Sequence, residues 1–129
     1  MILLDTDICI EILRGNENVI RMMKKQTQNA AVSYMTAGEL FYGSAKSNNN
    51  NKNKWLVKTF LSTVEIIEFD LEMMEMFGEI KFKLQKQGKM LPDADIIIAS
   101  VALCKCQKLI TGNTSHFSRF TNLTLENWI

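Results

Sequence analysis

The chain has 129 residues, of which 47% are hydrophobic and 22% charged, and its formal net charge at neutral pH is +1. A chain of this size can bury a core without a disulfide or a structural metal, so we expect one domain over residues 1–129. The near-neutral charge excludes a basic field over the whole surface. Any contact with nucleic acid must therefore come from a local patch.

No apolar stretch approaches the length of a membrane span, and Met1 leads directly into an apolar run that leaves no room for a signal peptide. We therefore expect a cytoplasmic protein that makes no contact with a membrane. The cysteines, Cys9, Cys104 and Cys106, are odd in number and lack the partners of a zinc site. We interpret them as small buried hydrophobic residues.

The predicted elements alternate between strands and helices along the whole chain. Apolar runs bounded by turn residues predict strands at about 2–4, 30–33, 64–69, 108–111 and 123–126. Helical spacing predicts helices at about 7–13, 16–25, 36–44, 55–61 and 71–86, and a last one that starts within 91–95 and continues through the apolar run 96–103. The pattern predicts a three-layer α/β/α sandwich with a central, mostly parallel sheet of four to five strands.

The spacing within two of these helices also predicts which side chains are buried. Trp55 is expected to face inward from its helix, and Leu71 is expected on the buried face of the next one. The run from Ser47 to Asn53 is polar and rich in turn formers, which predicts a surface loop or a frayed helix start. Residues 112–115 are expected to form a polar turn after the fourth strand.

Asp5 directly follows the first strand, at the kind of position where parallel sheets bind ligands. An acid that ends a buried strand has no routine structural role, and an unpaired buried carboxylate is costly. Asp5 is therefore the first candidate for chemistry.

The other candidate acids each have a structural alternative. Glu39 and Asp95 begin helices that should open on the same edge of the sheet as Asp5. However, Thr36 and Glu39 also match a capping box, and Asp93 fits a helix N-cap. Asp7 fits an N-cap as well as it fits a ligand.

A cluster of Asp5, Glu39 and Asp95 would need a counter-charge. Two carboxylates about 4 Å apart repel by about 4 kcal/mol at an effective dielectric constant of 20. Oxygen ligands without cysteine or a histidine set favour Mg²⁺ or Mn²⁺. We therefore predict a Mg²⁺ or Mn²⁺ site, with Asp93 as a further possible ligand.

Four motifs that follow one another along the chain resemble those of PIN-domain ribonucleases, and especially the VapC-type toxins of bacterial toxin–antitoxin pairs. They are Ile2-Leu-Leu-Asp5-Thr-Asp7, Ser33-x-x-Thr36-x-x-Glu39-Leu-x-Tyr-Gly43, Asp93-Ala-Asp95-Ile-Ile-Ile-Ala-Ser100 and Leu109-Ile-Thr111-Gly-Asn113-Thr-x-His116-Phe117. The resemblance implies that the catalytic and metal-binding acids are Asp5, Glu39 and Asp95. It also implies supporting hydroxyl groups at Thr6, Ser33, Thr36 and Thr111.

The chain departs from the family at the fourth acid. Many PIN domains have an aspartate where this chain has Asn113, and some VapC relatives have an acid where it has His116. Asn113 could hold a metal-bound water and His116 could contact phosphate, although His116 is equally well explained as a packing residue. The number of metal ions is left open.

The resemblance further implies a function and partners. The expected reaction is hydrolysis of RNA by a metal-activated water, leaving a 5′-phosphate and a 3′-hydroxyl. A VapB-like antitoxin is expected to lay an apolar helix into a groove between the first two helices and the helix at 36–44, and a homodimer is usual in the family. The anchors expected for that helix are Ile10, Leu13, Phe41 and Tyr42. The candidate RNA contacts are Arg14, Arg21, Lys24, Lys25 and His116, with Lys81, Lys86 and Lys89 as second choices.

Two other functions compete with the nuclease. A PIN fold without catalysis could bind RNA or a partner, and the missing fourth acid supports that interpretation. A receiver-type signalling domain would use Asp70 as phosphoacceptor. It would also need a lysine after the last central strand, where Thr111 is followed by Gly-Asn-Thr-Ser.

Overall fold

The computed structural model describes residues 1–129 and contains five strands and seven helices. The strands are β1 (Ile2–Leu4), β2 (Ala30–Ser33), β3 (Glu65–Ile67), β4 (Lys108–Ile110) and β5 (Leu125–Glu126). The helices are α1 (Thr6–Leu13), α2 (Glu17–Lys24), α3 (Tyr34–Ala45), α4 (Asn50–Leu61), α5 (Leu71–Lys86), α6 (Asp93–Lys105) and α7 (Thr114–Phe117).

The five strands form one sheet in the order β3-β2-β1-β4-β5, and every pairing is parallel. In the centre of the sheet, Leu3 lies opposite Ala31 on one side and Leu109 on the other. The predicted parallel sheet is thus confirmed.

Helices cover both faces of the sheet because alternate strand residues point to opposite sides. Leu3 and Leu109 belong to a core that includes residues of α5 and α6. Ile2, Leu4 and Ile110 belong to a second core, which α1 to α4 complete. These two cores form the predicted three-layer α/β/α sandwich.

The strand order identifies the place where a ligand would bind. The chain moves outward from β1 through β2 to β3, then returns to the other side of β1 with β4. In open α/β sheets, ligands bind beyond the carboxyl ends of the strands at such a reversal. Here the reversal lies between β1 and β4, directly before Asp5 and Thr111.

Three predicted helix caps are wrong. Helix α3 is capped by Ser33, whose Oγ accepts from the backbone N–H of Thr36, so Thr36 and Glu39 do not form a capping box. Asp5 occupies the N-cap position of α1, which places Asp7 in the first turn. Pro92 precedes α6, and Asp93 is the first helical residue rather than its cap.

Two predicted buried side chains are also wrong. Trp55 is 64% exposed and Leu71 is 87% exposed, whereas the fully buried residue at the start of α5 is Met73.

Helix α4 begins at Asn50, so it includes part of the run 47–53 that was expected to form a loop or a frayed helix start. The expected polar turn after β4 leads into the short helix α7. None of the helices combines the length and the apolar composition needed to cross a membrane.

Candidate active site

Asp5 lies at the reversal between β1 and β4 and is only 6% exposed. Its Oδ2 accepts a hydrogen bond of 2.7 Å from Thr111 Oγ1, and its Oδ1 accepts one of 2.8 Å from the backbone N–H of Thr6. Burial, followed by repulsion from Asp7 and Asp95, raises the pKa of Asp5 to about 7 despite these two bonds. The site therefore holds a carboxyl group whose negative charge is poorly compensated.

Asp7 brings a second carboxylate to the same place. Its Oδ2 accepts a hydrogen bond of 2.9 Å from the backbone N–H of Gly112, which follows β4. Its Oδ1 is the only buried side-chain nitrogen or oxygen atom in the structure without a hydrogen-bond partner. Burial is the main cause that raises the pKa of Asp7, and repulsion from Asp95 adds to it.

Glu39 is connected to this cluster through hydroxyl groups. Thr6 Oγ1 donates to Glu39 Oε1 at 2.7 Å and lies 3.1 Å from Thr36 Oγ1. Thr6 has one hydroxyl proton, which is used for Glu39, so the proton between the two threonines comes from Thr36. The two helix starts, α1 and α3, are thereby joined next to the Glu39 carboxylate.

Asp95 in the first turn of α6 contacts the loop after β4. Its Oδ2 lies 2.9 Å from His116 Nδ1, and Asn113 Nδ2 lies 2.8 Å from the same ring nitrogen. The backbone N–H of Asn113 donates to Thr111 Oγ1 at 2.9 Å. The Asp95 carboxylate can only accept, so this contact is a hydrogen bond when Nδ1 carries the ring proton, and Asn113 Nδ2, which can only donate, then has no acceptor on that nitrogen. His116 is thus a partner of the acid rather than an isolated surface residue.

The remaining predicted site residues lie outside this cluster. Asp93 is half exposed and pairs with Lys81 at 3.0 Å. Ser33 is buried as the cap of α3. Arg14 pairs with Glu11. The other candidate RNA contacts on α2, the exposed Arg21, Lys24 and Lys25, form the outer side of that helix.

A groove of about 550 Å³ opens beside Glu39 between α1, α3 and α4. Apolar side chains from all three helices line it, together with Thr6, Glu39, Arg14 and Lys46. The apolar members include Ile10, Leu13, Leu40, Tyr42, Leu56 and Val57. Lys46, which stacks over the Tyr42 ring at 4.8 Å, was not predicted as a cation of this region.

The acids suit a hard divalent cation, although they do not form a finished coordination sphere. No three aspartate, glutamate, histidine or cysteine side chains converge closely enough to hold an ion as they stand. Asp5, Asp7 and Asp95 nevertheless repel one another, and Asp7 Oδ1 is an orphaned buried oxygen. Carboxylate oxygens with an unmet need for positive charge are the donor set of Mg²⁺ or Mn²⁺.

Three comparisons place this chain among known proteins. Residues 2–123 match the PIN domain family. The chain is 33% identical to ribonuclease VapC2 of Rickettsia felis, over 98% of this chain and 96% of that protein. It is 29% identical to the tRNA(fMet)-specific endonuclease VapC of Shigella flexneri, over 98% of this chain and 96% of that one.

The fold agrees with these sequence matches. The crystal structure of VapBC2 from Rickettsia felis bound to a promoter DNA fragment contains a chain that superimposes with a TM-score of 0.92. The match covers 100% of both chains at 32% identity. The sequence match and the structural match to the Rickettsia felis proteins thus each extend over nearly the whole chain. This chain therefore belongs to the PIN-domain family, among the VapC ribonucleases.

Proposed function

We propose that this protein is a Mg²⁺- or Mn²⁺-dependent endoribonuclease and the toxin of a toxin–antitoxin pair that acts in the cytoplasm. The observation that carries the proposal is the buried, poorly compensated Asp5 at the reversal between β1 and β4, with Asp7 and Asp95 close enough to repel it. The names of the relatives, ribonuclease VapC2 and tRNA(fMet)-specific endonuclease VapC, support the same function.

In this proposal, Asp5 and Asp95 hold the cation and Glu39 contributes from the adjacent helix. A divalent cation there supplies positive charge to the scissile phosphodiester and lowers the pKa of the attacking water. Thr111 keeps the Asp5 carboxylate in place through its 2.7 Å hydrogen bond. Thr6 does the same for Glu39, also at 2.7 Å.

His116 has a different role from these threonines, because it connects the loop after β4 with α6. Its Nδ1 lies 2.9 Å from Asp95 Oδ2, a contact that holds this carboxylate at the end of the sheet. Arg14 and Lys46 line the groove beside Glu39 and are the cations placed to meet an RNA backbone that approaches along it. Asn113, whose Nδ2 lies 2.8 Å from His116 Nδ1, stays a candidate for holding a metal-bound water.

The activity is tested with purified protein, Mn²⁺ and RNA, starting with initiator tRNA because one relative is named for it. Asp5→Asn and Asp95→Asn should each reduce cleavage by at least about a hundredfold, since each removes charge at the reacting centre. Asp93→Asn removes an exposed acid paired with Lys81 and should leave cleavage within about twofold of the wild type. Full cleavage by the Asp5 and Asp95 variants, or in excess EDTA, would refute the metal mechanism.

We also propose that the groove between α1, α3 and α4 receives an apolar helix of a VapB-like antitoxin. Tyr42 is 66% exposed, and the partly buried Ile10 and Leu13 lie in the same groove. A helix seated there would cover Glu39 and block access to the acids. The match to a VapBC complex supports this partner.

The partner proposal is tested by measuring the affinity of the antitoxin encoded beside this protein. Leu13→Glu puts a charge into the groove and should weaken binding at least about thirtyfold, as expected for an interface anchor. Phe82→Glu is the matched control, because Phe82 is an exposed apolar residue on α5, outside the groove. Equal losses of affinity from both variants would exclude the groove as the antitoxin-binding site.

The expected homodimer stays a prediction, which light scattering of the purified protein can test.

The two competing functions receive less support. Asp70 caps α5, accepting from Met73 N at 2.9 Å, and pairs with Lys105 at 3.4 Å. The observed strand order also differs from the 2-1-3-4-5 order of receiver folds. A non-catalytic binding module would retain RNA in EDTA and show no cleavage after Mn²⁺ is added.

A further inference from the structure

The carboxylate of Asp7 is unusual because its two oxygens have different surroundings. Oδ2 accepts from the backbone N–H of Gly112 at 2.9 Å, whereas Oδ1 is buried and has no hydrogen-bond partner. The backbone N–H groups of Gly112 and Ile8 lower the pKa of this carboxyl group, but burial raises it by more. An unpaired buried oxygen of a charged group costs free energy, because no hydrogen bond replaces the water that this oxygen loses on folding. The first turn of α1 favours a negative charge at Asp7, but by only about 0.3–1 kcal/mol, so folding explains the carboxylate only in part.

The backbone is shaped to receive this carboxylate. A Cβ atom added to Gly112 would lie 2.7 Å from Ile129 Cδ1 and 2.8 Å from Asp7 Oδ2, closer than such contacts are normally found. Any larger residue at position 112 would therefore have to displace one or both of these side chains, whereas glycine lets the loop after β4 lie against the Asp7 carboxylate. The contact joins residues 105 positions apart in the sequence, across the reversal between β1 and β4.

A purely structural tether would not need a negative charge here. An asparagine at position 7 would offer the same acceptor to Gly112, and it would remove the repulsion that Asp5 and Asp95 exert on Asp7. The charge is therefore unfavourable in the protein without a cation. It becomes favourable only when positive charge is present between these acids.

We propose that Asp7 is a cation-binding carboxylate of this site, acting with Asp5 and Asp95. This inference rests on the proposed metal-dependent function and adds a ligand that the resemblance to PIN-domain ribonucleases did not supply. Oδ2 is anchored to Gly112, which would leave Oδ1 available to a cation. The loop after β4 carries Asn113 and His116 at the two positions where relatives have a fourth acid. Asp7 would supply that acidic charge from the start of α1 instead.

The test is Mn²⁺ binding by calorimetry on the full-length protein, without RNA. Asp7→Asn should weaken Mn²⁺ binding at least about tenfold, a loss typical for groups that support a metal site. Glu17→Gln is the matched control, because Glu17 is an exposed acid in the first turn of α2, just as Asp7 is an acid in the first turn of α1. It should leave Mn²⁺ affinity within about twofold of the wild type.

A second readout separates a lost ligand from a damaged fold. Without metal, Asp7→Asn should melt at the same temperature as the wild type or higher, and Mn²⁺ should raise its melting temperature less than it raises that of the wild type. Asp7→Ser, which keeps a hydroxyl acceptor for Gly112, should show the same loss of Mn²⁺ affinity.

Two results would overturn the inference, and they are distinguishable. Wild-type Mn²⁺ affinity in folded Asp7→Asn, with RNA cleavage retained, would refute the role of Asp7 and leave the nuclease proposal intact. Absence of Mn²⁺ binding by the wild-type protein would refute the proposed metal-dependent function, and the role of Asp7 with it.

Discussion

Raising the pH of the metal-free protein should destabilise it, and Asp5 should be a main cause. The pKa of this buried carboxyl group is raised to about 7 from an ordinary value of 3.8. Between these two values the folded chain binds a proton that the unfolded chain has already lost. The free energy of unfolding therefore falls as the pH rises. The stabilising contribution is fully present below the unfolded pKa and is lost as the pH rises through the folded one.

The size of the effect follows from the shift. Each pKa unit corresponds to about 1.4 kcal/mol, so the difference between 3.8 and about 7 amounts to about 4 kcal/mol over the complete window. About 3 kcal/mol of this should be lost between about pH 4.5 and about pH 8. Asp70 and Glu126, whose pKa values are lowered by hydrogen bonds, act in the opposite direction and mainly at more acidic pH.

The assay is urea unfolding in EDTA at several pH values, for the wild type and for Asp5→Asn. The amide of Asp5→Asn does not titrate, so the difference between the two proteins isolates the contribution of Asp5. Asp93→Asn controls for the loss of one negative charge at an exposed position. Saturating Mg²⁺ should reduce the pH dependence of the wild type, because the cation replaces the proton. A wild-type pH dependence equal to that of Asp5→Asn would refute this account of the site.

Two further predictions concern the residues around the acids. Thr111→Val removes the hydroxyl that donates to Asp5 and accepts from a backbone N–H, so urea unfolding should show a loss of about 2–4 kcal/mol. A loss below about 0.5 kcal/mol would contradict it. Gly112→Ala places a methyl group against the Asp7 carboxylate and should cost about 1–3 kcal/mol, whereas Gly78→Ala, which meets no neighbouring atom, should gain about 0.5–1 kcal/mol. Equal melting temperatures for the two variants would show that the loop adapts freely.

The central strands could be predicted from the sequence because their signal is local. The three-residue strand β1 is wholly apolar and fully buried, and β2 ends at the predicted Ser33. Buried parallel strands show such continuous apolar runs. The acid after β1 was therefore assigned to the correct end of the sheet from the sequence alone.

The helix starts and exposed faces were harder to predict, because neighbouring residues offer equivalent local signals. Ser33 and Thr36 are both good N-caps three residues apart, and a tertiary contact decides between them: Thr36 Oγ1 is taken up by Thr6. Leu71 and Met73 are both apolar residues in the first turn of α5, yet only Met73 is buried. The hydrophobic pattern of one helix does not specify its rotation against the sheet.

The contacts of the site were beyond prediction for a different reason. The hydrogen bonds from Gly112 to Asp7 and from Thr111 to Asp5 join residues more than 100 positions apart, and they require β4 to lie next to β1. Alternation of strands and helices predicts a parallel sheet but leaves the order of its strands open. The pairing of Asp95 with His116 likewise depends on the loop after β4.

The same strand order explains why hydrogen bonds alone do not compensate the negative charge of the acids in this site. By placing β1 between β2 and β4, the fold directs Asp5 and Asp7 toward the loop after β4, where Thr111 and Gly112 each supply one donor. Each of these bonds contributes only a few kcal/mol at most, which is comparable to the repulsion between neighbouring carboxylates. The protein thus holds its acids in position but leaves their charge largely uncompensated. We therefore expect a cation to bind here, because folding already brings the acids together and a cation would offset their mutual repulsion.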